Sequence, residues 1–317
     1  PEQAWSTTTR VNTANLGAGD SVLFKCGDKW TYDDGNYLLL RSGNTSARVT
    51  YSTYGTGPKP IISRSIPANE PDDWRNEGNN IWLLKQYVEG INFNTAFISY
   101  NNDSVIGFKR FNMVELSQQG DFYTDERRPD PNKNWLVYNY TYVYSAGNPA
   151  EVYDQVDVVV GQSGIASTSE NDGVSNINIS NIEFYHCGWN GIGIPRGSRN
   201  ILIENCLITY CGGQRHVSNS KPDARRGQCI NTQGDIENFE VRNCTVGQGW
   251  DGGIALQGWK GGLRIRDVRI HHNIIYKNEY GFETWGVETS SDIRNVYLEN
   301  NTFLYNGYGW ANEHSKY

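Results

Sequence analysis

The sequence predicts an all-β protein: a single-domain, right-handed parallel β-helix (a solenoid) of roughly ten coils. Three observations lead to that prediction. The 317 residues include 34 Gly and 20 Tyr but only one Met, so turn formers are abundant and the flexible side chains of helical cores are scarce. One strand-like pattern recurs five times, and bends rather than helical stretches separate its parts.

The five repeats supply the first elements of the predicted fold. Their starts are spaced 24, 38, 29 and 28 residues apart, at Ser175, Arg199, Glu237, Arg266 and Arg294. Apolar residues alternate within each copy, as Ile177 and Ile179 do, which is the period of a half-buried strand. After a bend, a second apolar set follows at Phe184, Ile208, Val246, Ile275 and Phe303. Each repeat is therefore expected to form one coil, with coils stacked about 4.8 Å apart.

Asparagine marks the bends and supports the stacking. The bend positions are Asn181, Asn205, Asn243, His272 and Asn300. Asn tolerates left-handed backbone angles, and its amide can hydrogen-bond to the equivalent residue of the next coil. The same stacking places Cys206 beside Cys244 and Cys187 beside Cys211, and we expect buried thiols there rather than disulfides.

The clear repeats cover residues 175–312, whereas residues 1–75 are predicted to form less regular N-terminal coils of the same domain, 1–317. The net charge of −7 argues against nucleic acid as a partner. No apolar run approaches the roughly 18 residues that cross a bilayer, so no membrane partner is expected. The start at Pro1, without an initiator Met, favours a mature secreted form, and we expect a monomer.

One long interval between repeats indicates where function lies. The coil from Arg199 is fourteen residues longer than the coil before it, 38 against 24, and its extra residues fall in segment 211–228. A coil stack has a filled core, so ligands are expected in an outer groove walled by such loops. The segment holds five basic or titratable side chains and one acid, Asp223. The five are Arg215, His216, Lys221, Arg225 and Arg226.

Aromatic residues near the turn glycines indicate the ligand. They include Trp189, Trp250, Trp259, Trp285 and Trp310. Several are expected to be exposed and to stack on sugar rings, so with the basic loop they predict an acidic polysaccharide as substrate. The predicted substrate-binding residues are Arg215, Arg225, Arg226, Asn231, His186, Tyr210, Trp189 and Arg196.

Two reactions remain open on these residues. Hydrolysis of a glycosidic bond normally uses two carboxyl groups, and Asp251 with Glu283 is a possible pair. β-Elimination on a uronic acid needs a base, an acid and a group that neutralises the sugar carboxylate. A Lys or Tyr base must lower its pKa by about three units, roughly 4 kcal/mol, which one cation about 4 Å away supplies at an effective dielectric near 20. Lys221 and Tyr185 are candidates.

A family resemblance bears on this choice. The segments LGAGDSVLFKCGDKW and TYSTYGTGPKPII resemble the opening of many secreted carbohydrate-active β-helix proteins. The size and the region from Tyr185 to Lys221 look most like polysaccharide lyase family 31, the small alginate lyases. This resemblance implies an endo-acting alginate lyase without metal or other cofactor, in which Lys221 and Tyr185 share the acid and base roles. Nearby Arg residues or Asn231 would neutralise the carboxylate.

Three alternatives accompany that expectation. The true substrate could be another uronan of the pectate type. The chain could be a glycoside hydrolase that uses Asp251 and Glu283. It could also be a non-catalytic module that binds acidic glycans through the same groove.

Overall fold

The structure, a computed structural model, describes residues 4–32, 37–85, 95–127, 137–169, 171–218, 221–258, 263–286 and 291–310. Most of the chain forms a stack of coils, and the coils contribute strands to three parallel sheets. Sheet 1 contains Ser21–Lys25, Val49–Tyr54, Ser175–Ser180, Ser198–Glu204, Ile236–Arg242, Arg264–His271 and Asp292–Glu299.

The other two sheets complete each coil. Sheet 2 contains Lys29–Trp30, Ile61–Ser63, Glu183–Cys187, Leu207–Cys211, Thr245–Gly249, Ile274–Tyr276 and Thr302–Leu304. Sheet 3 contains Leu38–Leu39, Ile165–Ala166, Ile192–Ile194, Ile230–Thr232, Gly252–Gly258 and Tyr280–Gly286. The predicted parallel β-helix is confirmed. Within the described ranges the sheets have seven, seven and six strands, fewer than the roughly ten coils expected.

The alternating apolar residues of the repeats form the core. Ile177, Ile201, Phe239 and Val268 pair in register up sheet 1 and are all at most 1% exposed. Burying such a side chain contributes about 1.5–3 kcal/mol, so each coil is stabilised by the coils on either side of it. The last described coil has one neighbour, and its Leu298 is 41% exposed.

The bend residues have the predicted backbone but not the predicted side-chain contacts. Asn181, Asn205, Asn243, His272 and Asn300 all have left-handed φ values between 52° and 60°. The amide ladder lies elsewhere, at the repeat starts. There Asn200 Nδ2 donates to Asn176 Oδ1 at 3.0 Å, and Asn238 Nδ2 donates to Asn200 Oδ1 at 2.7 Å. At the bends, Asn205 and Asn243 are exposed.

The cysteine contacts follow the predicted stacking. Cys187 pairs in register with Cys211, and the backbone N–H of Cys206 donates to Cys244 Sγ at 3.4 Å. All six cysteines are free thiols, and all but Cys26 are buried. Burial raises the pKa of the Cys187, Cys211 and Cys244 thiols, so these groups stay protonated and act as small apolar side chains.

Residues 65–160 form an insertion that leaves the stack between sheets 2 and 3. Its first sheet is antiparallel and contains Val105–Ile106, Thr95–Tyr100, Val156–Val160 and Ser65–Pro67. Its second sheet contains Lys109–Arg110, Phe122–Arg127, Val137–Tyr144, Ile81–Leu84 and Trp74–Gly78. The insertion has its own apolar core, built around Phe97, Tyr100 and Phe122. This region therefore departs from the stack of coils.

Helices are minor elements of the structure. The described α-helices are Thr8–Asn12 and Pro149–Val152, and the 3₁₀ turns are Pro71–Asp73 and Met113–Glu115. Val11 of the first helix is buried in the core of the coil stack. No described helix combines the length and the apolar character needed to span a membrane.

Candidate active site

The corner between sheets 2 and 3 carries both the insertion and the loop singled out in the sequence. The loop is a hairpin of strands Gln214–Ser218 and Lys221–Arg226. At its base, Gly212 and Gly227 have left-handed φ values of 97° and 112°, and a Cβ on Gly212 would lie 2.4 Å from Trp250 Cβ. Glycine is thus required for the hairpin to leave and rejoin the stack. Lys109 of the insertion fixes this base by donating to the Gly213 carbonyl at 2.8 Å.

The outer face of sheet 3, called the groove below, begins beside this hairpin. One outward ladder runs from Gly193 through Asn231 and Ala255 to Glu283, one residue per strand. Asp251 lies at the corner, immediately before strand Gly252–Gly258, and its backbone N–H donates to the Gly227 carbonyl at 3.2 Å. The ladder and the hairpin base therefore bring Asp251, Glu283 and Asn231 to one surface.

Side-chain amides hold both carboxyl groups of this groove. Asn231 Nδ2 donates to Gln228 Oε1 at 2.9 Å, and Gln228 Nε2 donates to Asp251 Oδ2 at 2.6 Å. Gln257 Nε2 donates to Glu283 Oε2 at 2.9 Å. These fixed amides orient the two acids without supplying a full positive charge.

The electrostatic environment gives both acids a higher pKa than an ordinary surface carboxylate has. Burial, followed by the charge of Glu283, raises the pKa of Asp251 to about 7, against the smaller opposing effects of Gln228 and Arg225. Burial also raises the pKa of Glu283. Asp251 therefore holds its proton close to neutral pH beside a second carboxyl group, the arrangement in which one acid donates a proton and its neighbour acts as a base.

Four predicted substrate-binding residues lie in or near this groove. Asn231 is in the ladder, and the guanidinium of Arg226 lies 5.5 Å from the Trp189 ring centroid. Arg225 Nη1 is 2.8 Å from Glu279 Oε2, and its guanidinium lies 5.3 Å from the Trp250 ring centroid. Two of these arginines pair with carboxylates. Arg225 pairs with Glu279, and Arg196 Nη2 lies 3.5 Å from Asp235 Oδ2. The positive charge of two predicted substrate-binding arginines, Arg225 and Arg196, is therefore partly neutralised.

Tyr185 lies instead on the outer side of sheet 2, under the insertion. Its hydroxyl donates to Asp103 Oδ2, and its ring stacks on His186 with centroids 3.7 Å apart. His186 Nε2 is 2.7 Å from Asp103 Oδ1, and Tyr210 packs edge-on against both rings. Burial and the negative charge of Asp103 raise the pKa of Tyr185. Tyr185 is therefore held in its protonated form, which opposes a role as base.

Asp103 is a residue that the sequence reasoning missed. It follows Asn101 and Asn102, and all three residues have left-handed φ values between 52° and 62°. The run Asn-Asn-Asp indicates only a turn. Nothing in it signals that the carboxylate meets two rings 82 and 83 residues later in the chain.

The side chains of Arg215, His216 and Lys221 lie outside the described part of the structure, which covers only their strands. The Lys221–Tyr185 pair therefore stays a prediction. Two of the aromatic residues expected as sugar platforms are buried. Trp250 and Trp310 are 1% and 4% exposed, and Trp310 packs on Phe97 of the insertion. Trp259 lies outside the described residues.

No group of three or more His, Cys, Asp or Glu side chains suited to a metal ion occurs among the residues that the structure describes. The groove instead offers two carboxyl groups, three amides and the guanidinium of Arg225.

Comparison with known proteins agrees with this architecture. A family model described as the right-handed β-helix region matches residues 138–316, more than half of the chain. The chain belongs to this right-handed β-helix family. No curated protein sequence matches the chain significantly.

Solved structures resemble this β-helix protein distantly. One described as a glycoside hydrolase is 9% identical with a TM-score of 0.40, over 94% of this chain and 91% of that one. The GH136 lacto-N-biosidase from Eubacterium ramulus is 12% identical with a TM-score of 0.37, over 96% of this chain and 53% of that one. An alginate lyase from Paenibacillus sp. str. FPU-7 is 10% identical with a TM-score of 0.32, over 99% and 98%. These similarities concern the fold alone.

Proposed function

We propose that this β-helix protein is a carbohydrate-active enzyme that hydrolyses a glycosidic bond in the groove of sheet 3. The observation that carries the proposal is the pair of Asp251 and Glu283. Asp251 has its pKa raised to about 7, and Glu283 is the nearby carboxyl group whose charge contributes to that rise. Glycoside hydrolases require such a pair, one carboxylic acid and one carboxylate.

Each carboxyl group has a distinct role in this proposal. Gln228 donates to Asp251 Oδ2, which leaves Oδ1 to carry the acidic proton and give it to the glycosidic oxygen as the bond breaks. Glu283, positioned by Gln257, acts as a base that takes a proton from the attacking water or as the nucleophile that attacks the anomeric carbon directly. In both routes water finally supplies the new hydroxyl group on that carbon.

The second candidate is the β-elimination of alginate or another uronan. The observation that favours it is the pair of guanidinium groups of Arg225 and Arg226 beside the Trp250 and Trp189 rings, since cations neutralise a uronate carboxylate. Lys221 and Tyr185 would share the removal of the ring proton and the protonation of the leaving oxygen. The hydrogen bond from Tyr185 to Asp103 counts against Tyr185 as the base.

Product analysis distinguishes the candidates. The purified protein would be incubated with neutral and uronic polysaccharides while reducing ends and the ultraviolet absorbance of unsaturated uronides are followed. New reducing ends without that absorbance are expected. Reducing ends together with the absorbance would instead establish a lyase. If neither signal appeared with any substrate, the result would favour a non-catalytic glycan-binding module. Secretion and action as a monomer stay predictions.

A further inference from the structure

A cavity of about 280 Å³ opens on the same face of sheet 3, on coils nearer the N-terminus than the carboxyl pair. It lies beside strands Ile165–Ala166 and Ile192–Ile194. The side chains that bear on the argument are Tyr37, Gln162, Trp189, Asn190 and Gln233.

The cavity lies on the same outer face of sheet 3 as Glu283. Its residue Gly193 is in register with Asn231, so the two are one strand spacing, about 4.8 Å, apart. Glu283 lies two strands further along the same ladder, about 14 Å from Gly193. Asn190 Oδ1 accepts from the backbone N–H of Gln228, whose side chain donates to Asp251. A chain of sugars bound across the acids would therefore extend into the cavity.

The lining of the cavity is neutral. Its described residues are tyrosine, tryptophan, serines, a threonine, amides, glycines and small apolar residues, and none of them carries a charge. Arg226 places its guanidinium 5.5 Å from the Trp189 ring centroid but does not line the cavity. A uronate carboxylate entering this space would lose hydration without meeting a lining cation, which is strongly unfavourable.

The polar atoms of the lining suit a ligand that donates hydrogen bonds. Gln233 Oε1 is buried and has no hydrogen-bond partner within the described ranges, and the same holds for Asn231 Oδ1, two residues earlier in the chain. Buried acceptors left without a donor cost about 1–3 kcal/mol each, and sugar hydroxyl or acetamido N–H groups would satisfy them. A carboxylate offers no donor. The half-buried Trp189 ring adds an apolar surface for the C–H face of a sugar.

We infer that this cavity is a subsite for a neutral sugar, a hexopyranose or an N-acetylhexosamine, of the glycan that the protein cleaves. The inference rests on the proposed function, because the bond to be broken lies at Asp251 and Glu283. It specifies the substrate class: a glycan that is neutral at this subsite rather than a continuous polyuronate such as alginate.

Calorimetric titration tests the subsite without turnover. The Asp251→Asn variant would be titrated with oligosaccharides of cellulose, xylan, mannan, galactan and chitin, and with alginate and polygalacturonate oligomers. At least one neutral glycan is expected to bind more tightly than both uronans. Adding Trp189→Ala should weaken that binding by about tenfold or more, and adding Gln233→Ala by about threefold to tenfold. Tyr308→Ala, at an aromatic that is 71% exposed on the last coil, serves as the matched control and should leave the affinity unchanged.

The results that overturn the subsite differ from those that overturn hydrolysis. Tighter binding of a uronan, no binding of any neutral glycan, or unchanged affinity in a folded Trp189→Ala variant would each reject the subsite. Circular dichroism and thermal unfolding establish that the variants fold. Trp189-dependent binding in a wild-type protein that cleaves nothing would reject hydrolysis while the subsite stands.

Discussion

Two partly buried carboxyl groups, Asp103 and Asp251, lie on either side of the corner between sheets 2 and 3, and their environments have opposite effects on the pKa. Asp103 accepts hydrogen bonds from Ser99 and Tyr185 and contacts His186. Its burial alone would raise its pKa, but His186, Ser99 and Tyr185 outweigh that effect and lower it. Asp251 receives one amide donor and faces Glu283, so its pKa rises.

The comparison shows that burial does not by itself mark a reactive carboxyl group. Asp103 is stable as an anion because donors surround it, and it joins the insertion to the coil stack. Asp251 accepts one side-chain hydrogen bond, from Gln228, and lies near a second carboxyl group, so its proton is available near neutral pH. We therefore propose a structural role for the Asp103 cluster and a catalytic role for the Asp251 cluster, and substitutions on the two sides of the corner should separate these roles.

The largest expected effect is on cleavage by Asp251→Asn. The amide has nearly the same shape as the carboxyl group but cannot donate a proton to the leaving oxygen. The rate of cleavage should therefore fall by about 10²–10⁴-fold. Release of reducing ends from the best substrate measures this loss. Asp28→Asn, at an exposed carboxylate on the first coil, is the matched control and should retain full activity. Wild-type rates in Asp251→Asn would remove this residue from the mechanism.

Asp103→Asn should mainly affect stability. Loss of the anion leaves His186 and Tyr185 without their charged acceptor, and breaking such a buried arrangement typically costs about 3–5 kcal/mol. Denaturant unfolding at pH 7 measures the difference. Because the pKa of Asp103 is lowered in the folded state, its stabilisation is present above its ordinary pKa of 3.8 and disappears as the pH falls through the folded value.

A matched control for this substitution is Asp154→Asn, which changes an exposed carboxylate of the same insertion and should unfold like the wild type. If Asp103→Asn instead lost cleavage activity with unchanged stability, the catalytic role would belong to the Asp103 cluster rather than to the Asp251 cluster. The comparison would then favour chemistry at Tyr185.

The contrast between the coils and the insertion explains what the sequence could reveal. The coils after Ser175 are predictable because each repeat contains its own alternating strand residues and bend residues. Each coil stacks on the next, so the same local pattern recurs along the sequence. Within the insertion, the paired strands Thr95–Tyr100 and Val156–Val160 are buried at every position and lack that alternation. A continuous apolar run does not indicate whether a strand pairs in parallel or antiparallel, so the local pattern cannot separate the two architectures.

The site was predictable only in part for a related reason. The length of segment 211–228 indicated the corner where the hairpin leaves the coil stack, and residue type suggested Asp251 and Glu283 as an alternative pair. Their pKa values depend on burial and on the register of Glu283 with Ala255, which are properties of the folded stack. The contact between Asp103 and Tyr185 depends on where the insertion docks, which no local pattern encodes.

The raised pKa of Asp251 should also appear in the pH dependence of stability. Its pKa in the folded state, about 7, exceeds the ordinary value of 3.8. The free energy of unfolding is therefore highest below pH 4, where Asp251 is protonated in both states, and it falls as the pH rises to 7. Each unit of this shift corresponds to about 1.4 kcal/mol. Asp251→Asn should therefore be more stable than the wild type at pH 8 and nearly equal to it at pH 4. Denaturant unfolding at both values measures the change, and equal differences at the two pH values would contradict the shift.

Tyr185→Phe should have the smallest effect and discriminates most directly between the two candidate reactions. It removes one hydrogen bond to Asp103, while Ser99 and His186 remain in place, so the free energy of unfolding should fall by about 1 kcal/mol. Under hydrolysis at Asp251 the cleavage rate should stay close to that of the wild type. If Tyr185 instead shares acid and base roles with Lys221, Tyr185→Phe and Lys221→Ala should each abolish product while the coil stack stays folded. Parallel measurement of reducing ends, ultraviolet absorbance and unfolding for both variants decides between the two sides of the corner.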